Sequence, residues 1–230
     1  MASSAFARAN RSLLVSDFDG TITRYDFYRL VAAELLPSNM PDYWRLYREG
    51  KLTHFEALQA IFGSIRCDEA TIRGVVERME LDPDFASSVD CLKRAGWDVV
   101  VASAGCQWYI RLLLDAAGVV VPVWANPGTF EPGKGLRMWQ PTESPYFSPT
   151  LGIDKAAIVR EGLEAGRRVA FAGDGYPDLD AARLVLPDDR FARGDLAAVL
   201  KEQGLGFHEF NRWSEIADRL CASRDGRVES

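Results

Sequence analysis

The stretch over residues 13–23 reads LLVSDFDGTIT. Its apolar start, residues 13–15, is followed at once by an acidic segment that contains glycine. A buried parallel strand that ends in a loop at its carboxyl end has this pattern. Because ligands of open α/β sheets bind at such strand ends, the stretch predicts both a strand and a binding site.

Three later apolar runs end in the same manner, and helical patterns lie between them, notably over residues 106–117 and 155–165. The runs cover residues 97–102, 119–124 and 169–172, and the loops that follow them cover residues 103–105, 125–127 and 173–175. Strand, loop and helix repeated in this order predict an α/β fold with a doubly wound parallel sheet.

Residues 24–90 interrupt this rhythm, because their apolar residues recur at helical spacing and no strand pattern separates them. We expect a small helical cap inserted after the first strand, with the core formed by residues 1–23 and 91–230. Thr53, with Glu56 three residues later, predicts a capping box at the start of one cap helix.

Residues 126–150 are rich in proline, glycine and aromatic residues. Within them, residues 129–131 and 136–139 are expected to pair as a hairpin across residues 132–135. The sequence leaves open whether this segment covers the site or contacts a second copy of the chain, and whether the protein is a monomer or a homodimer.

Composition limits the classes of partner. The chain has 230 residues, 47% of them hydrophobic, and a net charge of −6, which argues against nucleic-acid binding because that needs a broadly basic surface. The absence of a signal-peptide pattern and of any apolar run of about 18 residues predicts a cytoplasmic protein that does not enter membranes. The four cysteines lack metal-ligand spacing and are expected to be reduced thiols.

Asp17 and Asp19 stand two residues apart directly after the first strand. Two carboxylates at this spacing repel each other, and they persist mostly where they share a cation or a proton. Gly20 permits close approach of the backbone, and Thr21 and Thr23 add hydroxyl groups. The cluster therefore indicates a functional site rather than a solvated acidic turn.

Residues 17–23 resemble the first motif of the haloacid dehalogenase-like phosphatase superfamily. The resemblance implies that Asp17 is the nucleophile that attacks phosphorus and that Asp19 is the general acid and base. It also implies that the backbone carbonyl of Asp19 binds Mg²⁺, and we expect Thr21 to contact the substrate.

Ser103, Ala104 and Gly105 fit the second motif of the superfamily. A hydroxyl group and backbone N–H groups at a turn from strand to helix can bind phosphoryl oxygens. We therefore expect Ser103 to act in catalysis and the two residues after it to bind the phosphate of the substrate.

Lys155 fits the third motif, since it begins the helical pattern before the strand over residues 169–172. It would offset the charge of the nucleophile and of the phosphoryl group. Asp174 and Asp178 fit the fourth motif and suit a cation that prefers oxygen ligands, whereas Asp180 is expected in the first turn of a helix. The resemblance thus implies a Mg²⁺ site formed by Asp17, Asp19, Asp174 and Asp178.

A helical cap after the first motif is the arrangement of the subgroup that includes the phosphoserine phosphatases. Asp26 lies where those enzymes carry an acidic substrate-binding residue. They also use a cap arginine to hold the substrate carboxylate, but here the corresponding helix reads ALQAIF over residues 57–62. This difference argues against phosphoserine as the substrate.

That cap helix, together with residues 191–193 and 201–205, is more similar to the methionine-salvage phosphatases, which act on 2-hydroxy-3-keto-5-methylthiopentenyl-1-phosphate. Phe27, Phe55 and Phe62 then either line a pocket for a thioether tail or form the core of the cap.

Three other functions are compatible with this fold. A dehalogenase would not need Asp19 together with Asp174, so these residues argue against it. A phosphomutase would keep all four motifs and would retain the phosphoryl group. A non-catalytic binding module would have no need of the complete acidic set. The sequence therefore favours a phosphoric monoester hydrolase that acts on a small-molecule phosphate ester.

Overall fold

The computed structural model describes residues 11–222. Its strands are β1 (Ser12–Ser16), β2 (Trp97–Cys106), β3 (Val123–Asn126), β4 (Gly128–Glu131), β5 (Gly135–Met138), β6 (Phe147–Ser148), β7 (Gly152–Ile153), β8 (Val169–Gly173), β9 (Arg190–Ala192) and β10 (His208–Glu209). Its helices are α1 (Phe27–Glu34), α2 (Tyr43–Arg48), α3 (His54–Gly63), α4 (Glu69–Glu77), α5 (Phe85–Arg94), α6 (Gln107–Ala116), α7 (Lys155–Glu164), α8 (Leu179–Leu184), α9 (Gly194–Glu202) and α10 (Trp213–Ala222).

Six parallel strands form the central sheet in the order β10-β9-β8-β1-β2-β3. Strand β1 lies inside the sheet, where Leu14 is paired with Val99 on one side and Ala170 on the other. Residues Leu13, Leu14 and Val15 have no exposed surface, because helices cover both faces of a doubly wound sheet. The expected α/β class and doubly wound parallel sheet are confirmed.

The third strand begins later than predicted. The apolar run starts at Val119, but β3 begins at Val123. Pro122 directly precedes the strand and has no N–H group to donate to a sheet ladder, although its carbonyl oxygen accepts from the Val101 N–H at 3.0 Å. Strand β2 was expected to end at Ala102 and runs on to Cys106, with an irregular register between these residues.

Helices α1 to α4 lie between β1 and β2 along the chain, as expected for the cap. Each begins after a residue whose side chain accepts a backbone N–H of the first turn, namely Asp26, Asp42, Thr53 and Asp68. The capping box of α3 is confirmed: Thr53 N–H donates to Glu56 at 2.7 Å, and Glu56 N–H donates to the Thr53 hydroxyl at 3.1 Å.

The expected boundary between residues 90 and 91 falls inside α5. This helix packs on β2 and α10, both of which belong to the core. The chain has already returned to the core at Leu81, which forms an isolated bridge with Thr23. The division into core and cap stays a prediction, and the outer limits of the core at residues 1 and 230 lie outside the described residues.

Strands β4 and β5 form the predicted antiparallel hairpin, in which Thr129 is paired with Arg137. The hairpin lies against the cap: the Gln59 side chain donates to the carbonyl of Met138 at 2.7 Å, and Gly133 N–H donates to the carbonyl of Cys67 at 3.1 Å. The segment whose role the sequence left open therefore contacts the cap helices.

Two smaller expectations concern the membrane and the cysteines. Within residues 11–222, no helix combines the length and the apolar character that crossing a bilayer requires. Cys67, Cys91, Cys106 and Cys221 are free thiols, as expected.

Candidate active site

Asp17 directly follows β1, and its backbone N–H donates to the carbonyl of Ala172 in β8 at 2.9 Å. Its carboxylate accepts a hydrogen bond from the Lys155 ammonium group. Lys155 also donates to Asp178 at 2.5 Å and is itself only 3% exposed. Lys155 is the first residue of α7, so the start of that helix places one buried cation between two buried carboxylates.

Burial dominates the electrostatics of this group. It raises the pKa of Asp17 to about 6, although the positive charge of Lys155 opposes the rise. Burial also disfavours the charged form of Lys155, but the carboxylates of Asp17 and Asp178 more than offset this and raise the pKa of Lys155 above its ordinary value. Lys155 therefore stays protonated beside the carboxylates.

Asp19 lies at the edge of the same group, with its carboxylate held by three donors. These are the Tyr109 hydroxyl at 2.8 Å, the Phe27 N–H at 3.3 Å and the Ser103 hydroxyl at 3.3 Å. Burial and the nearby charges of Asp26 and Asp17 raise the pKa of Asp19 well above its ordinary value. The surroundings of Asp19 therefore favour its protonated form.

Ser103, Ala104 and Gly105 line the same cavity as Asp17, and their expected roles in catalysis and phosphate binding stay predictions. The Gly105 N–H donates to the Ser103 hydroxyl at 2.9 Å. The carbonyl of Ala104 accepts the Asn126 side-chain amide at 2.7 Å, which fixes the turn from β2 into α6.

We expect Gly105→Ala to lower kcat at least tenfold. A Cβ atom at this position would lie 1.8 Å from the Tyr109 hydroxyl oxygen and 2.8 Å from a carboxylate oxygen of Asp19. Tyr109 and Asp19 must then shift, and a misplaced catalytic group is costly. Phosphate release should be compared with that of Gly74→Ala, where the nearest atom lies 3.5 Å from the new Cβ. Equal kcat in both variants would contradict this account of the site.

Asp174 completes an acidic cluster with Asp17 and Asp178, and one carboxylate oxygen of each lies within 4.8 Å of the others. Burial, followed by the charges of Asp17 and Asp178, raises the pKa of Asp174 well above its ordinary value. Three carboxylate oxygens that repel one another, two on buried residues and one on the partly buried Asp174, are the kind of donor set that Mg²⁺ prefers. The residues present therefore fit that cation.

The four residues expected to bind the metal differ in whether their carboxylates are available to a cation. Asp178 accepts from Lys155 and from the backbone N–H groups of Asp174 and Gly175, at 3.1 and 3.0 Å. Its carboxylate is thus largely occupied by protein donors. The carboxylate of Asp19 is bound to Tyr109 and stands apart from the cluster, which is consistent with the expectation that only its backbone carbonyl contacts a cation.

Of two residues expected to bind the substrate, Asp26 lines the cavity and Thr21 does not. Asp26 lines the cavity and caps α1, where it accepts the Arg29 N–H at 3.3 Å. Thr21 is 1% exposed and donates to Asp174 at 3.3 Å. In the part of the chain that the structure describes, Thr21 is not among the residues that line the cavity, so it supports Asp174 rather than facing a substrate. Asp180 lies in the first turn of α8, as predicted.

The cavity over these residues has a volume of about 660 Å³, and α1, α2 and α3 of the cap contribute much of its lining. Several lining residues are not among the site residues predicted from the sequence: Tyr28, Arg29, Trp44, Tyr47, Arg48, His54, Leu58 and Tyr109. The motif segments did not identify them, because they stand on cap helices and on α6. The predicted thioether contact Phe62 lines the cavity, whereas Phe27 is fully buried behind it and stacks on Tyr109 with ring centroids 4.3 Å apart.

Arg193 is a further residue that the catalytic motifs did not indicate. Its guanidinium group donates to the carbonyl of Gly20 and to the carbonyl of Thr23 at 2.7 Å. Gly20 has a φ of +69°, and a Cβ atom there would lie 2.5 Å from a carboxylate oxygen of Asp174. Arg193 and this glycine together hold the loop after β1 against the acidic cluster.

The chain belongs to the haloacid dehalogenase-like hydrolase family, whose model matches residues 14–183. The resemblance found in the sequence is therefore confirmed, and the protein is an enzyme of the hydrolase class. The matched range includes every candidate catalytic and metal residue described above.

Several relatives of the chain are named as phosphatases. A 2-hydroxy-3-keto-5-methylthiopentenyl-1-phosphate phosphatase of Exiguobacterium sibiricum is 23% identical over 214 residues, covering 90% of this chain and 95% of the relative. A polyol phosphate phosphatase of Saccharomyces cerevisiae is 24% identical and covers 90% of this chain and 91% of its own length. These names support the expected class of phosphoric monoester hydrolase.

Solved structures share the fold. A phosphoserine phosphatase with an analogue of its phospho-aspartyl intermediate superposes with a TM-score of 0.63 at 17% identity, covering 91% of this chain and 98% of that one. A substrate-bound phosphoserine phosphatase gives a TM-score of 0.62, also at 17% identity, and covers 90% of this chain and 97% of that one. At this identity the likeness concerns the fold alone.

Proposed function

We propose that this chain is a Mg²⁺-dependent phosphatase that transfers the phosphoryl group of a small-molecule monoester to Asp17 and then hydrolyses the aspartyl-phosphate. The observation that carries the proposal is the buried ion-paired group of Asp17, Lys155 and Asp178 at the base of the cavity. A carboxylate held beside a buried cation is oriented to attack phosphorus and is shielded from the charge of the incoming phosphate.

Asp17, Asp174 and the backbone carbonyl of Asp19 would hold the Mg²⁺, and Asp178 would assist. When bound, the cation neutralises carboxylate and phosphate charge, so that two anions can approach each other. Thr21 and the N–H groups that bind Asp178 keep the ligands oriented.

The first half-reaction is a displacement at phosphorus. A carboxylate oxygen of Asp17 forms a bond to phosphorus as the bond to the ester oxygen breaks. Protonated Asp19 gives its proton to that leaving oxygen and releases a neutral alcohol. Lys155, the Ser103 hydroxyl and backbone N–H groups of the 104–105 turn stabilise charge on the transferring oxygens.

The second half-reaction returns the enzyme to its starting state. Asp19, now a carboxylate, accepts a proton from water as the water oxygen bonds to phosphorus. The bond between phosphorus and Asp17 breaks, and inorganic phosphate leaves. Asp19 is protonated again and ready for the next cycle.

Removal of the cation should abolish turnover reversibly. We expect chelation by EDTA to stop phosphate release and excess Mg²⁺ to restore it, and Asp174→Asn to lower kcat/KM at least about 100-fold at saturating Mg²⁺ because a charged ligand is lost. Asp180→Asn is the matched control, since Asp180 is exposed and lies in the first turn of α8. Full activity of Asp174→Asn, or turnover that persists after chelation, would refute the metal assignment.

Among candidate substrates, 2-hydroxy-3-keto-5-methylthiopentenyl-1-phosphate has the most support, because relatives that cover about 90% of this chain carry its phosphatase name. The aromatic lining from Trp44, Tyr47 and Phe62 suits an apolar thioether tail. A role in methionine salvage follows from this substrate, and a cytoplasmic location stays a prediction.

A phosphate ester that carries a carboxylate, such as phosphoserine, is the second candidate. Arg29 and Arg48 line the cavity. They stand on α1 and α2, so the missing arginine of α3 does not deprive the cap of positive charge. Arg29 and Arg48 thus offer positive charge for a substrate carboxylate although α3 has no arginine.

Phosphate release from a panel of esters, with and without Mg²⁺, tests the proposal. The panel should contain the methionine-salvage ester, phosphoserine, glycerol 3-phosphate, phosphocholine and sugar phosphates. A preference of about 100-fold in kcat/KM, equivalent to roughly 2.7 kcal/mol in transition-state binding, would name the substrate. No Mg²⁺-dependent release from any ester would overturn the proposed function.

A further inference from the structure

His54 is a polar residue in an otherwise apolar stripe that faces the cavity. It begins α3, and Leu58 and Phe62 follow at intervals of four residues on the same helix face. All three residues line the cavity and are buried, with 8%, 5% and 1% exposure. A leucine or phenylalanine at position 54 would continue this stripe without burying a polar group.

The imidazole ring is held in place from several sides. The rings of Trp44 and Tyr47 meet it nearly edge to face, each with centroids 5.4 Å away. The capping box of Thr53 fixes the start of α3, and the Phe55 N–H donates to the carbonyl of Thr150 at 2.9 Å. The ring is therefore oriented before any ligand arrives.

The Nδ1 atom of His54 is buried and has no hydrogen-bond partner in the part of the chain covered by residues 11–222. A buried N–H group without a partner is rarer and costlier than an unused acceptor. We take Nδ1 to be the unprotonated nitrogen, which puts the single N–H of the neutral ring on Nε2. Burial, followed by the positive charge of Lys155, lowers the pKa of His54 to about 4, so the ring is neutral at pH 7.

We propose that His54 is a specificity-determining residue, whose Nε2–H donates to an uncharged hydroxyl or carbonyl oxygen on the leaving group of the phosphate ester. Trp44 and Tyr47 flank that oxygen with apolar surface. This inference rests on the proposed phosphatase function and adds to it the substrate class, namely esters of oxygen-bearing alcohols rather than of plain alkyl alcohols.

A neutral N–H donor among aromatic side chains discriminates between substrates, because a substrate that leaves the N–H group without an acceptor binds less well. An alkyl group in the subsite would cover the imidazole N–H without accepting from it, whereas a hydroxyl or carbonyl oxygen would restore the bond. Sites of this kind reject analogues that lack the oxygen more strongly than apolar pockets reject a missing methylene group.

The test compares glycerol 3-phosphate with n-propyl phosphate, which has the same carbon chain without the two hydroxyl groups. With Mg²⁺, we expect the wild-type protein to favour glycerol 3-phosphate at least tenfold in kcat/KM. His54→Phe should reduce this ratio at least fivefold, mainly through the KM of glycerol 3-phosphate, and His54→Gln, which keeps an N–H donor, should retain more of it. His208→Phe is the matched control because His208 lies outside this cavity, and it should leave the ratio unchanged.

The outcomes separate this inference from the function on which it rests. No phosphate release by the wild-type protein from either ester, from p-nitrophenyl phosphate or from the wider panel would overturn the proposed function. Release with no preference for glycerol 3-phosphate, or with a preference that His54→Phe leaves unchanged, would overturn only the role of His54. Circular dichroism and thermal unfolding of each variant show whether it is folded. If His54→Phe does not fold, His54→Leu, which also lacks an N–H donor, is judged by the same criterion.

Discussion

Asp17→Asn is expected to reduce phosphate release by at least about 10⁴-fold, because an amide cannot form the acyl phosphate that the proposed reaction requires. The fold should survive the change. Asparagine has nearly the same shape, and its side-chain oxygen can still accept from Lys155, which also keeps its bond to Asp178. The measurement is single-turnover phosphate release at saturating Mg²⁺, with circular dichroism to establish folding.

The control for Asp17→Asn is Asp180→Asn, which makes the same chemical change at an exposed acidic residue in the first turn of α8. It should retain wild-type activity. Activity of folded Asp17→Asn close to that of this control would show that another group attacks phosphorus and that Asp17 only binds.

Lys155→Met has the second largest expected effect, and it acts on both activity and stability. The variant leaves Asp17 and Asp178 buried without their shared cation, and breaking a buried ion pair in this manner costs about 3–5 kcal/mol. Loss of the positive charge beside the phosphoryl group should also lower kcat at least about 10³-fold. Urea unfolding gives the first quantity and phosphate release gives the second.

Lys201→Met provides the comparison for Lys155→Met, since the Lys201 side chain is 62% exposed, pairs with Glu209 at 2.5 Å and lies over the Phe207 ring at 5.9 Å. Its free energy of unfolding should change by less than about 1 kcal/mol. If the two lysine variants had equal stability and equal kcat, Lys155 would contribute no more than an exposed lysine. That result would contradict the proposed electrostatic role of Lys155 in the site.

Much of the core could be predicted from the sequence, because parallel strands buried on both faces give continuous apolar runs. Residues 13–15 and 169–172 have this pattern, and both lie in the sheet. The residues that follow such strands meet at one edge, so Asp17, Ser103 and Asp174 could be grouped from their positions alone. Lys155 needed the family resemblance, because a lysine at a helix start is usually solvated.

The rest depends on packing between distant segments, which no local pattern encodes. Tyr109 reaches Asp19 across 90 positions of sequence, and nothing in the α6 pattern separates it from an ordinary core tyrosine. Trp44, Tyr47 and His54 have helical spacing that suits either a cap core or a cavity wall. The boundary expected between residues 90 and 91 lies within α5, which packs on β2 and α10 although it follows the cap helices directly.

The proposed covalent intermediate can be tested most directly by trapping it. The protein would be mixed with Mg²⁺ and the best ester of the panel, quenched in acid within milliseconds and reduced with borohydride, which converts an aspartyl-phosphate to homoserine. Peptide mass spectrometry then locates the modified position. The account predicts homoserine at position 17 in the wild-type protein and none in Asp17→Asn. Homoserine at another aspartate, or rapid turnover with no modified residue at any quench time, would contradict it.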